Sequence, residues 1–199
     1  MYDPAHVNPA DAPKNWLDLL DPKWKGQIGF QNASAGNMYA FWYLIKDRLP
    51  ADYWDRLAEQ EPRAYESSTQ ILADMRNGDL LVGGAMSLLQ YVKAQRAHAP
   101  LNAVFPPEGT TSTTEVITIL KDSKRPNASR MFVDYLLSEE GQKFWSEIHG
   151  TAPARQGVHI DELPDLTSHK ILVPTDMEDY SSKENHVEFV RVWNKVTGF

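Results

Sequence analysis

The run Lys25-Gly26-Gln27-Ile28-Gly29-Phe30-Gln31-Asn32-Ala33-Ser34-Ala35-Gly36-Asn37-Met38-Tyr39-Ala40-Phe41-Trp42-Tyr43-Leu44-Ile45 contains one complete structural unit. Gln27 to Phe30 has the alternating character of a short strand. Asn32 to Gly36 is a small polar turn, and from there to Arg48 the pattern is helical and rich in aromatics. Pro50 stops that helix, and Asp52 caps a further one through Glu59.

The next unit follows the same logic. Arg63 to Glu66 reads as a brief strand, and Ser67 or Ser68 as the N-cap of a helix through Met75 that Asn77-Gly78 ends. Leu80 to Ala85 reads as a buried strand, Ser87 as the cap of a helix to about Ala97, and Ala103-Val104-Phe105 as a short strand before Pro106-Pro107. Strands alternating with helices at this spacing predict an α/β fold, a mostly parallel sheet with helices on both faces. Upstream, Tyr2 to Lys14 holds three prolines and reads as irregular, and Asn15 to Leu20 begins a short helix that Asp21-Pro22 ends or bends.

After residue 107 the texture changes. Glu108 to Thr114 is a polar loop, and Glu115-Val116-Ile117-Thr118-Ile119-Leu120 is β-branched and strand-like. A long helix starts at Lys124 to Asn127, with Phe132, Leu136, Phe144, Trp145 and Ile148 at helical spacing, and Gly150 ends it. Residues 151–180 are loop-rich, and Glu184 to Val196 forms a last amphipathic helix.

Composition excludes several classes. The chain has 199 residues, a net charge of −7, 42% hydrophobic residues and no cysteine. It is long enough for one domain or two small ones and needs no disulfide staple. Without cysteine there is no thiolate zinc site, iron–sulfur cluster or thiol catalysis. Its longest apolar run, Met38 to Ile45, falls far short of the about 20 residues that span a bilayer. An acidic surface without a basic run disfavours nucleic acid as a partner. Met1 to His6 shows no basic stretch followed by an apolar one, so no secretion signal is read there.

Catalytic and cofactor motifs are missing too. No P-loop, dinucleotide fingerprint or nucleophile elbow occurs, and no His-Glu-x-x-His pattern offers a metal pair, so no cofactor, metal or catalytic residue is assigned. The histidines read as capping or exposed groups, although His149 and His159 flank one loop and could meet. What remains is three small polar turns after strands, where open α/β sheets place ligands beside helix N-termini. The candidate binding residues are Asn32, Ser34, Ala35 and Gly36 in the first turn. Gly84, Met86, Ser87 and Leu88 form the second, and Glu108, Thr110 and Thr111 the third. All three are expected on one sheet edge. Their bland roles are helix capping at Ser34, tight packing at Gly83-Gly84, and a solvated connection at the third turn.

Two longer stretches carry a family resemblance. Pro13-Lys14-Asn15-Trp16-Leu17-Asp18-Leu19-Leu20-Asp21-Pro22-Lys23-Trp24-Lys25-Gly26 resembles a signature of family 1 extracellular solute-binding proteins, periplasmic receptors of ABC importers, in the ferric-iron, phosphonate and polyamine branch. Asn77-Gly78-Asp79, Pro107-Glu108-Gly109-Thr110 and the segment Ala128 to Gln142 continue the match over about residues 2–157. The resemblance implies a type II periplasmic-binding-protein-like fold of two α/β lobes clamping a ligand. Within it, residues 1–12 would be a crossing segment and 13–105 the second lobe. Residues 106–199 would form the return crossing and the C-terminal helical part of the first lobe, so the chain looks like a truncated form. The implied partners are a small solute and the importer's membrane subunits, and the implied location is the periplasm. Iron-binding members carry adjacent tyrosines at positions that fall near Leu88 and Leu89, which cannot ligate ferric ion. A phosphorylated or phosphonate solute suits the Ser34–Gly36 turn, and Glu108 would take a ligand hydroxyl or amine. Three readings stay open: an anion-binding protein without chemistry, a ferric-iron or ferric-complex binder, and a non-binding lobe that self-associates as a homo-oligomer through its exposed cleft face.

Overall fold

The computed structural model describes residues 1–99, 101–161 and 163–198. Its centre is a parallel sheet of β1 (Ile28–Gln31), β2 (Arg63–Tyr65) and β3 (Val82–Gly83), in the order β2-β1-β3. Gly29 pairs with Arg63 on one side and with Gly83 on the other, so β1 is the inner strand. Each strand leads into a helix at the same end: α1 (Gly36–Ile45) after β1, α3 (Ser68–Asn77) after β2, and α4 (Leu88–Arg96) after β3. Between them lies α2 (Tyr53–Glu59). This is the α/β architecture expected from the alternation, with slightly different ends.

Strand pleating sorts the helices onto two faces. Ile28 and Phe30 point into the main core, where they meet α1, α2 and the last long helix, α8 (Lys183–Thr197). Gly29 points the other way: a Cβ there would stand 2.6 Å from Leu80 and 3.5 Å from Ile71. Ile71, Met75, Leu80 and Ala94 form a smaller core under α3 and α4. Helix α1 is apolar nearly all round, which fits a helix covered on more than one side. Met38, Tyr39, Ala40, Phe41, Trp42 and Ile45 are all buried between the sheet and α8. The Met38–Ile45 run therefore gives little of the uncovered apolar area that the self-association reading drew from it.

Helix ends follow local chemistry. Ser67 makes a reciprocal capping box with Gln70, and Gly78 closes α3 at a φ of +80°. The expected long helix after Lys124 is instead two, α5 (Pro126–Leu137) and α6 (Glu139–His149). Ser138 breaks it with extended backbone (ψ 164°), and its hydroxyl accepts from the Gly141 N–H, capping α6. The apolar spacing of Phe132, Phe144 and Ile148 does not bury these side chains. They are at least half exposed, and no residue of α5 is buried.

Two expected strands are missing. Ala103–Phe105 forms none, because Asn102 instead bridges to Tyr2, and two prolines without N–H donors follow. Glu115–Leu120 also forms none. No partner strand lies beside it among the described residues, and β propensity alone supplies no ladder. A second, two-stranded parallel sheet pairs β4 (Thr110–Thr111) with β5 (Ile171–Leu172). Residues 106–199 thus divide: α8 supplies Phe189, Trp193 and Val196 to the core of residues 13–105, whereas α5 does not.

A short helix, α7 (Met177–Tyr180), is tied to α1 by tyrosines. The Tyr43 hydroxyl donates to an Asp179 carboxylate oxygen at 2.6 Å, and the Tyr39 hydroxyl donates to the Tyr180 carbonyl. The bond to Asp179, with some burial and the Asp179 charge, pushes the Tyr43 pKa up to about 12. A raised tyrosine pKa favours the neutral form. The bond's stabilisation is therefore complete below the ordinary value near pH 10 and is lost as pH rises through about 12. Tyr43→Phe should remove one tyrosinate absorbance step near the top of an alkaline titration and flatten the fall in melting temperature over the same range.

Gly84 marks the tightest approach on the main-core face. A Cβ there would lie 2.1 Å from Cε1 of the Phe30 ring. Gly84→Ala should lower the unfolding free energy by about 1–3 kcal/mol in a urea titration, the usual cost of overpacking.

Candidate functional site

The parallel order brings the first two predicted turns together. The first follows β1 and the second follows β3, its neighbour, so both open at the sheet's C-terminal edge. Asn37, in the first turn of α1, joins them: its side-chain amide donates to Gln31 Oε1 at 3.2 Å and to the Ala85 carbonyl at 3.4 Å. Asn37 escaped the sequence reading. The available signal was a polar residue at the head of an otherwise apolar helix.

In the first turn, Asn32 organises its neighbours. Its Oδ1 accepts from the Ser34 N–H at 3.1 Å and from the Ser34 hydroxyl at 2.5 Å, while its own N–H donates to the Tyr65 carbonyl. Ser34 is not the helix cap. Ala35 holds the N-cap position of α1, with no side chain bonding back to the helix. The same holds for α4, where Ser87 occupies the N-cap position and makes no capping bond, contrary to the expectation that it caps. Two helices of ten and nine residues therefore start on one edge without side-chain caps, whereas α3 beside them is fully capped. Uncapped helix starts present N–H groups and the positive end of the peptide dipoles to whatever occupies the edge.

The second turn is strained and tightly packed. Ala85 has a φ of +49°, a conformation that alanine seldom adopts. Gly84 is buried against Phe30, and its N–H is spent on the Gly29 carbonyl at 2.9 Å. Its role is close packing, and it offers no amide to a ligand. Met86 lies over Gly83, where a Cβ would come 2.2 Å from its sulfur. Leu88 and Leu89 open α4. A Cβ on Gly150, which ends α6 at a φ of +60°, would stand 2.7 Å from the Leu89 Cα. The end of α6 thus sits against the start of α4, beside the edge.

The third turn is not on that edge. Thr110 and Thr111 are β4 of the separate two-stranded sheet, and β4 packs on α1. The chain after Pro107 has left the first sheet, so strand order could not carry it to the same edge. Glu108 lies near Tyr53, whose hydroxyl is pushed up chiefly by burial and secondly by the Glu108 charge. One carboxylate oxygen of Glu108 and the Thr110 hydroxyl are buried without a hydrogen-bond partner among the described residues.

His149 and His159 do not meet: His149 stacks on Trp145 at 4.1 Å, and His159 faces Asp161 at 3.5 Å. Among the described residues, no cluster of three or more His, Cys, Asp or Glu side chains is placed to hold a metal. Nor is any helix among them long and apolar enough to cross a membrane. Two surface grooves, one between residues 117–123 and α5 and one on α5 and α6, are lined by no residue of the three turns. The candidate site is accordingly an open sheet edge.

Residues 1–183 match the profile of the bacterial extracellular solute-binding proteins. This chain belongs to that family. A ferric iron-binding protein of Neisseria meningitidis is 24% identical over 161 residues, covering 77% of this chain and 49% of its own length. An uncharacterised Haemophilus influenzae protein is 28% identical over 205 residues, covering 95% of this chain and 56% of its own. Among solved structures, the periplasmic binding protein AfuA of Actinobacillus pleuropneumoniae, with fructose-6-phosphate bound, superposes with a TM-score of 0.70 at 25% identity, over 94% of this chain and 61% of that one. The chain spans about half the length of the curated relatives it matches. The fold is that of the type II periplasmic binding proteins expected from the resemblance.

Asn37→Ala should cost no more than about 1 kcal/mol in global stability, since its bonds are exposed. It should nevertheless speed amide hydrogen exchange in the Ala85–Leu88 turn, because the bond holding Ala85 to α1 is gone.

Proposed function

We propose that this chain is the solute-recognising part of an ABC importer's binding protein, works in the periplasm with the importer's membrane subunits, and binds without doing chemistry. Its solute is a small anion, a phosphorylated sugar or a phosphonate, held at the C-terminal edge of the β2-β1-β3 sheet. The observation that carries this reading is the pair of uncapped helix starts, α1 and α4, opening side by side and linked through Asn37. Beside them the backbone of Gly36, Ser87 and Leu88 supplies N–H groups, and the exposed Ser34 hydroxyl reaches the anion by exchanging its bond to Asn32 Oδ1, whereas the Ala35 N–H is spent on the Asn32 carbonyl. The fructose-6-phosphate relative supports the same class of ligand. The third turn lies off this edge, so Glu108 and Thr110, each with an unpartnered buried oxygen, stand outside the proposed site.

In the domain reading that accompanies this proposal, residues 13–105 with α8 form one lobe wall. Residues 106–150 belong to the other. One wall of a cleft makes only part of the contacts, so binding by this chain should be weak.

The second reading, ferric iron, has the Neisseria relative in its favour. Leu88 and Leu89 stand against it, being apolar where that chemistry needs oxygen ligands.

Calorimetry with fructose-6-phosphate, methylphosphonate and ferric citrate separates the two. The phosphorylated sugar should give saturable heat, and Ser34→Asp should weaken it about tenfold or more by setting a carboxylate beside the anion. Saturable binding of ferric citrate alone, or an affinity unchanged by Ser34→Asp, would overturn the anion reading.

A further inference from the structure

Trp16 Nε1, Glu108 Oε2 and Thr110 Oγ1 are sealed from solvent, and none has a hydrogen-bond partner among the described residues. They come together where the third turn meets α1 and α2. A Cβ on Gly109 would stand 2.6 Å from Leu172, so Gly109 looks towards β5. Its neighbours Glu108 and Thr110 alternate to the opposite side, where β4 packs on α1. There the Glu108 charge adds to burial in pushing the pKa of the Tyr53 hydroxyl up. Trp16 reaches the same place from the other direction: its ring lies 4.5 Å from that of Phe41 in α1, and its carbonyl accepts from the Tyr53 hydroxyl at 3.0 Å. The one proton of Tyr53 is thereby spent and cannot serve Glu108 or Thr110.

The donor and acceptor inventory of the three atoms selects their ligand. An indole N–H only donates, an ionised carboxylate oxygen only accepts, and a hydroxyl does either. A metal cation or an ammonium ion suits Glu108 but cannot accept from the indole, which leaves that donor unmet. An anion suits the indole and is repelled by the carboxylate. The three groups do not satisfy one another directly, since none of them bonds to another. A water molecule can accept the indole proton and give its two hydrogens to Glu108 and Thr110. About three bonds of this kind are what a buried water makes in a folded protein. Without such a partner each sealed atom would carry its full desolvation penalty, which is why buried polar groups are almost always bonded.

We propose that this junction is a binding site for one buried water molecule, which accepts from Trp16 Nε1 and donates to Glu108 Oε2 and Thr110 Oγ1, and that this water ties the third turn to the α1-α2 core. Because the three atoms are closed to bulk solvent, the water is a fixed part of the fold and exchanges only when the junction opens. Glu108 and Thr110 thus have a role separate from solute recognition. They hold the start of β4 against the core that carries the sheet edge.

A crystal structure of the 199-residue chain, with NMR on the tryptophan-labelled protein, tests this. The density should show one ordered water within about 2.7–3.2 Å of all three atoms. In solution the Trp16 indole proton, assigned through its contact with Phe41, should give a cross-peak to water with the sign of a long-lived complex. Thr110→Val keeps the shape and removes the hydroxyl. It should cut that cross-peak about threefold or more and speed exchange of the Thr110 and Ser112 amides, which pair with the Lys170 and Leu172 carbonyls. Amides of α3, far from the junction, should be unchanged and so control for folding. Glu108→Gln, which keeps an acceptor oxygen at the junction, should retain the cross-peak. Density without a water at the three atoms, an ion or a direct Trp16–Glu108 bond in its place, an indole proton with no water cross-peak, or amide exchange in β4 unaffected by Thr110→Val would each overturn the proposal.

Discussion

Trp193 is the contact on which the sheet edge depends. Its indole N–H donates at 2.9 Å to the carbonyl of Gln31, the last residue of β1, and so satisfies a backbone acceptor where the ladder ends. Its ring meets Phe30 edge-on at 5.3 Å, Phe41 at 6.0 Å and Trp54 at 6.1 Å. One side chain, fully buried, thereby binds the inner strand, α1, α2 and α8 into a single core. Each aromatic pair adds about 0.5–1.5 kcal/mol beyond the area it buries, and the indole bond gives the cluster a fixed orientation that area alone does not. The turn that carries Asn32 and Ser34 hangs directly from this anchored strand end. That is why a loop of small polar residues can hold a set geometry.

Around that anchor the two halves of the molecule differ in how they satisfy their apolar surface. Residues 13–105 and α8 are internally complete: α1 is covered on the sheet side and on the α8 side, and the tyrosines at 39 and 43 fasten α7 as an outer clasp. The stretch from Glu115 through α6 is locally well formed, with Ser138 and Gly150 as sound helix boundaries, yet its apolar stripe faces outward. Local signals are enough to make a helix, whereas burying its stripe requires another surface.

Much of the fold was legible because its signals are local. The alternation of Gln27–Phe30, the capping residues at Ser67 and the punctuation at Asn77-Gly78 each act within a few residues, and the elements appeared where those signals stood. The readings at Ala103–Phe105 and Glu115–Leu120 went wrong for a shared reason: a strand is a relation between two segments, and one segment's propensity does not supply its neighbour. The single long helix expected after Lys124 failed differently. Periodicity runs through Ser138 unbroken, but the serine gains more by turning out to cap α6 than by continuing the helix.

At the candidate site, residue types alone identified the turns after β1 and β3, because small polar residues following a strand are the local mark of a strand-to-helix connection. The same reading put the third turn on that edge too, although it belongs to another sheet. Sequence by itself determined the α/β class, the family and some helix boundaries, such as those of α3 at Ser67 and Gly78, all of which arise from contacts a few residues apart or from motifs read in line. Tertiary structure alone decided that two helix starts stand side by side, that Gly84 packs on Phe30 and gives its amide to the ladder, and that Asn37 joins the turns. Those facts depend on strand order and on which face each residue presents, and pairings between residues some 50 positions apart leave no trace in the chemistry of either segment alone.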